Sequence, residues 1–195
     1  MPYIRECILT TVDRQGSVHI APLGIIAERD GWVIAPFRPS TTLDNLQTVP
    51  FAVANYVDDV RLFAGCLTGR RDWQTVPVEG APVPRVAAAL AHSLLAVAEV
   101  ADDPVRPRFL CRVVGEGMHA PFTGLNRAKA AVLELAILVS RLDRLPRDKI
   151  EAELAYLSIA LDKTAGEAEL EAWGWLMERV TAHLTAGAAT GGGLG

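Results

Sequence analysis

The chain has 195 residues, half of them apolar, with 22 % charged side chains and a formal net charge of −4. That length supports one good core, or one core with a small satellite. Scattered arginines and an excess of acid argue against a nucleic-acid footprint, and no uncharged apolar run reaches the ~18 residues of a membrane span. The opening MPYIRECILT is too short and too polar for a signal peptide, which points to the cytoplasm. Cys7, Cys66 and Cys111 lie far apart in apolar runs and read as buried thiols. The four histidines are equally scattered, so no metal site is expected.

In chain order, Ile4 to Thr11 reads as a strand, Asp13 to Gly16 as a turn, and Val18 to Ala27 as a second strand interrupted by Pro22. Asp30-Gly31 signals a hairpin returning through Trp32 to Ala35. Phe37 to Gln47 reads as a loop running into a short helix, and Pro50 to Tyr56 as a strand. Val60 to Leu67 fits strand or helix, and Arg70 to Arg85, with its prolines, a surface excursion. Val86 to Leu95 is helical by local propensity, whereas Leu94 to Val100 and Phe109 to Gly115 read as strands joined by the Asp102–Pro107 loop.

After Gly124 the period changes to that of helices. Ala128, Val132, Leu135, Leu138 or Val139, and Leu142 share one face. Pro146 opens a second helix with Ile150, Leu154, Leu157 and Leu161 inward. Thr164-x-x-Glu167 reads as a capping box for a third, whose stripe is Leu170, Trp173, Met177, Val180 and Leu184. Trp173, Trp175 and Met177 read as packing rather than a cofactor box. Strands first and helices last give a barrel or sheet with a helical appendage, not βαβ units. No GxGxxG and no GxxxxGK[ST] is present.

Polar chemistry concentrates in four places. Pro22 and Gly24 bracket a strand, which suits a flat ligand lying over it or a barrel corner. Arg38, Ser40, Thr41, Thr42 and Asn45 could converge donors on one anion at a helix start, or Thr41 or Thr42 could be an ordinary N-cap. Asn55 ends an apolar strand with an amide suited to a heteroaromatic edge, while the adjacent Asp58 and Asp59 suit a cap and a solvated side chain rather than an acid–base pair. Arg127 and Lys129 open the first C-terminal helix, either as surface charge or over a ligand; a cation there is poorly placed for the helix itself.

The runs GSVHIAPLG (16–24), STTLDNL (40–46), AVANYVDD (52–59) with Phe63, and LNRAKAAVLELAILVSRL (125–142) resemble a family carrying only a domain-of-unknown-function label, DUF447. That resemblance implies an FMN-binding split barrel, six-stranded, antiparallel and of Greek-key type, followed by a three-helix C-terminal region. With the change of period near Gly124 and the Gly-rich composition of the last residues, the expected division is 1–124 for the flavin domain, 125–186 for the helices and 187–195 for a disordered tail. The resemblance implies a homodimer with FMN at or near the interface and a small-molecule substrate. Ala21, Pro22, Leu23 and Gly24 would run beside the ring. Ser40, Thr41, Thr42 and Asn45, with Arg38, would hold the phosphate or ribityl chain. Asn55 would lie near the ring, and Arg127 and Lys129 match the junction motif. Ile20 and Leu23 depart from the small polar residue and the methionine usual in the family, making the ring pocket more apolar.

The function so implied is an oxidoreductase passing hydride or electrons between a reduced nicotinamide or deazaflavin and a small substrate, with an association to tetrahydromethanopterin one-carbon metabolism. No catalytic side chain is assigned. The alternatives are a non-catalytic accessory protein holding FMN or another phosphate ligand, and a structural subunit with a dead pocket.

Overall fold

The computed structural model describes residues 2–191. Two compact units form. One takes the chain up to Asp58 together with Asp72–Phe122; the other takes Asp59–Arg71 and the chain from Thr123 onward.

The first unit is a closed antiparallel barrel of β1 (Ile4–Val12), β2 (Val18–Glu28), β3 (Gly31–Ile34), β4 (Phe51–Val57), β7 (Ala89–Ala101) and β8 (Arg108–Met118), in the order β1-β2-β3-β8-β7-β4. Strand β4 returns to pair with β1, which is the Greek-key connection. Alternation along the strands sends Cys7, Leu9, Ile25, Ile34, Ala52, Ala54, Leu95, Phe109 and Cys111 into one core. Helix α1 (Thr41–Thr48) adds Leu43 and Leu46 to that core.

The excursion between β4 and β7 carries a short hairpin, β5 (Thr75–Val76) with β6 (Arg85–Val86). Its Val83 joins a second cluster with Val12, Val53 and Leu94, against which Val78 and Ala81 pack. Strand β4 is therefore buried on both faces, which explains its unbroken apolar run. Residues 89–94, helical by local propensity, are strand. Strand β7 has a ladder on each side, to β4 and to β8, and those hydrogen bonds outweigh the fraction of a kcal/mol by which alanine favours helix.

The second unit packs α2 (Arg61–Leu67), α3 (Arg127–Val139), α4 (Arg147–Thr164) and α5 (Glu167–Gly191). The open reading of 60–67 resolves as helix. Asn126 caps α3 by accepting from the Ala128 and Lys129 N–H groups. The proposed capping box is displaced. Thr164 ends α4, and it is the Glu169 carboxylate that accepts from the Gly166 N–H at 2.8 Å. That bond draws Glu169 into the interior, and the buried stripe runs Ala172, Leu176, Val180, leaving Leu170 55 % exposed. The Trp175 ring carries the Arg70 guanidinium at 4.5 Å, a packing role. Helix α5 is described to Gly191 and so enters the stretch expected to be disordered; 192–195 lie outside the described residues. Among the described residues no helix is long and apolar enough to cross a membrane.

All three cysteines are buried thiols. Burial pushes Cys7 and Cys111 up to about 12 and Cys66 to about 11. We expect no reaction with a thiol-specific disulfide reagent at pH 8 until urea is added; prompt reaction of the native protein would overturn this assignment of inert thiols.

Candidate cofactor site

Strand β2 pairs with β1 from Val18 to Ile26 but with β3 only from Ile26 onward. Strand β8 meets β3 over Phe109–Arg112 alone. The four-residue β3 therefore pairs with β2 only at Ile26–Glu28 and leaves the stretch 21–25 of that edge without β3 beside it. Ala21, Pro22, Leu23 and Gly24 all lie in this stretch and are half-buried. A proline is tolerated on a strand with one open edge.

The four residues do not share a face. Leu23 packs on the core, and its carbonyl accepts from the Cys7 thiol at 3.3 Å. The family's methionine position is thus a core position here, and leucine there does not make a ring pocket more apolar. Gly24 has a nearer cause than a ligand: a Cβ would come within 2.8 Å of Ile4 Cγ2 and 3.0 Å of Glu6 Oε1 on β1.

Helix α1 stands beside this strand pair. Asn45 Nδ2 donates to Thr11 Oγ1 at 3.0 Å, and Thr11 is paired with His19 at the start of β2. The N-cap is Ser40, neither Thr41 nor Thr42; its Oγ accepts from the Leu43 N–H. Thr42 and Asn45 are buried, whereas Ser40 is half-buried and Thr41 exposed. The N–H groups of Thr41 and Thr42 meet no acceptor among the described residues. Two orphan donors, two accessible hydroxyls and the positive end of the helix suit a phosphate.

Arg38 is exposed and turned toward the β7–β8 loop. Its Nη2 donates to Asp102 at 2.6 Å and its Nε to the Asp103 carbonyl at 3.1 Å. With Asp102 84 % exposed, this pair holds Arg38 by a kcal/mol or less, in the ~0–1 kcal/mol range of surface pairs. Arg127 and Lys129 stand on α3, in the other unit.

Asn55 is fully buried, and both ends of its amide are engaged. Nδ2 donates to the Ile8 carbonyl (2.8 Å), the Val53 carbonyl (3.1 Å) and Thr10 Oγ1 (3.2 Å), and Oδ1 accepts from the Val86 N–H (2.8 Å). Asp59, one residue before the Val60 N-cap of α2, accepts from the Arg61 N–H and pairs with the Arg61 guanidinium at 2.7 Å.

Two groupings were not visible in the sequence because strand register assembles them. Arg5 lies over Trp32 (4.9 Å) and Tyr56 (5.0 Å), with Tyr3 at 5.8 Å. His92 Nδ1 and His119 Nε2 are 2.8 Å apart, with Ser93 hydrogen-bonded to Glu116 beside them.

A closed six-stranded antiparallel Greek-key barrel with a short strand β3 and a helix packed against the β1–β2 pair defines the split-barrel class. The chain belongs to the DUF447 family: its N-terminal domain model, described as a protein of unknown function, matches residues 5–120 and its C-terminal model residues 126–178. An FMN-bound DUF447 protein from Methanosarcina mazei superposes with a TM-score of 0.77 at 20 % identity, over 90 % of this chain and 94 % of that one. The 2-nitrobenzoate 2-nitroreductase of Pseudomonas fluorescens gives 0.50 at 20 % identity over 60 % and 64 % of the two chains. Component B of a nitrilotriacetate monooxygenase from Mycobacterium thermoresistibile gives 0.52 at 17 % over 60 % and 70 %. No curated protein matches the sequence.

Proposed function

We propose that the protein binds FMN and acts as an oxidoreductase, as a homodimer with the flavin at or near the interface. The observation that carries this reading is the start of α1, with its two orphan N–H groups, on a helix that packs against β1 and β2, in a family that includes an FMN-bound member. The phosphate sits on the Thr41 and Thr42 N–H groups and the Ser40 and Thr41 hydroxyls. Arg38 swings from Asp102 to join them, at the cost of one surface ion pair. The ring lies along the open edge of β2 at Ala21–Gly24, where backbone groups and Pro22 orient it. A second copy of the chain covers the ring's far side and excludes water. Bound FMN supplies the hydride or electron transfer, so this chain needs no nucleophile of its own. The donor is a reduced nicotinamide or deazaflavin. The methanopterin association has no residue in this fold to carry it and does not enter the proposal.

The test is an absorbance spectrum of freshly purified protein, with the released chromophore identified by mass, followed by anaerobic reduction with NADH, NADPH or a reduced deazaflavin. Flavin without reduction by any donor would favour the accessory-protein reading. Thr42 and Asn45 are too buried to probe the phosphate cleanly, so the informative variants are Ser40→Ala and Thr41→Ala. We expect the pair to weaken FMN about tenfold, one charge-assisted hydrogen bond being worth about 1.5 kcal/mol; Thr41→Ala should leave the melting temperature nearly unchanged, while Ser40→Ala also removes the cap of α1, worth about 1 kcal/mol. Unaltered affinity in a fluorescence titration would remove the phosphate from α1.

A further inference from the structure

An open pocket of about 470 Å3 lies on the β7–β8 side of the barrel unit, walled by the β5–β6 hairpin. It shares no lining residue with β2 or α1. Three features mark it as built. His92 and His119 hydrogen-bond through Nδ1 and Nε2 at 2.8 Å, with near-parallel rings. Gly117, paired with His92 across the ladder, makes room for them: a Cβ there would stand 2.6 Å from His92 Cε1 and 3.3 Å from His119 Cε1. Arg85 is half-buried, and its Nη1 donates to the Val86 and Ala87 carbonyls, yet it has no carboxylate partner among the described residues. Val76, Val78, Leu94 and Val114 supply apolar walls, and Glu79 and Glu116 lie at the rim.

We propose that this pocket is a second ligand site, which takes a small carboxylate with an apolar body and loads one proton onto the His92–His119 pair as it fills. Arg85 presents its remaining guanidinium donors to the carboxylate, and the valine and leucine walls take the apolar part. The neutral pair holds one proton inside its hydrogen bond and one outside. A further proton fits on the outward acceptor without breaking the inner bond, whereas a second would break it and place two cations in contact. Arg85 opposes even the first. Burial, then His119 and Arg85, hold His92 below its ordinary value, with Glu116 acting the other way; burial and Arg85 also lower His119. A carboxylate paired with Arg85 cancels that field, so anion and proton bind together.

The probe is benzoate, titrated calorimetrically into the full-length protein, saturated with any flavin it retains, in PIPES and in Tris at pH 7. Repeated from pH 6 to pH 8, the titrations should report proton uptake that grows as the pH is lowered, with benzoate affinity falling as the pH rises. Arg85→Gln should weaken benzoate at least about tenfold, as loss of a charge-assisted contact requires. Gly117→Ala, which parts the rings, and His119→Ala, at an exposed position, should each abolish proton uptake while benzoate still binds. Absence of benzoate binding at millimolar concentration, uptake that persists in both variants, or displacement of benzoate by FMN would overturn the proposal. None of these outcomes bears on whether FMN binds at α1.

Discussion

Gly31→Ala is expected to destabilise the barrel by about 3 kcal/mol, the upper end of what overpacking a well-packed site costs. Gly31 opens β3, where it pairs with Arg112. A Cβ at this position would lie 2.2 Å from the Cys111 carbonyl oxygen and 3.3 Å from its carbon. Both are backbone atoms of β8, so no side-chain rotation relieves the contact. Relief requires β3 and β8 to part, and β3 is the four-residue strand through which the wall closes. Gly115→Ala on β8 is the control. Its added methyl meets nothing closer than Leu94 Cβ at 3.6 Å, and the loss of glycine's freedom in the unfolded chain makes it neutral or stabilising by up to about 1 kcal/mol. Urea denaturation followed by far-ultraviolet dichroism separates the two. Equal midpoints would show that β3 and β8 can shift freely.

The same glycine shows what sequence reading reaches and where it stops. Asp30-Gly31 correctly located the hairpin, but the left-handed residue of the turn is Arg29, at φ 52°. Gly31 is needed for close approach to β8, a neighbour about 80 residues away that no local rule supplies. The strands up to β4 were legible because turn residues bracket each alternating run. The start of β7 was not, because its stability lies in ladders to β4 and β8 rather than in its own side chains. In the helical unit both period and phase were legible for α3 and α4, whose expected inward residues are buried or half-buried, and the phase slipped only in α5. Glu169 turns inward to the Gly166 N–H and rotates the buried stripe of α5 away from Leu170.

The candidate site divides in the same way. The hydroxyl-rich run did mark a helix start, since a capping hydroxyl and orphan N–H groups are local features. Its details followed from tertiary contacts: Ser40 caps, while Asn45 is committed to Thr11. Arg38 is drawn to the β7–β8 loop by Asp102. The His92–His119 pair, 27 residues apart, exists only once β7 and β8 are in register.

Asn55→Ala is the second large effect, expected at about 3 kcal/mol with flavin affinity unchanged within about threefold. The truncation removes every partner of the Val86 N–H that comes from the Asn55 side chain, and Val86 is fully buried. An unsatisfied buried N–H costs about 1–3 kcal/mol, and the lost donor to Ile8, Val53 and Thr10 adds to it. The damage is directed. Asn55 ties β4 to β1 on one side and to the β5–β6 hairpin on the other, and the second tie of that hairpin is the 2.6 Å bond from Thr10 Oγ1 to the Pro84 carbonyl. Arg85 sits between Pro84 and Val86, so slackening this joint moves the guanidinium and should weaken benzoate more than FMN. Thr10→Val cuts the other tie, and the double variant should lose less than the sum of the singles, because either loss already frees the hairpin. A ring-contacting Asn55 would give the opposite pattern, with FMN affinity falling tenfold or more at nearly constant stability. Chemical denaturation of apoprotein beside an FMN titration of the same variant distinguishes a strut of the barrel from a ligand to the flavin.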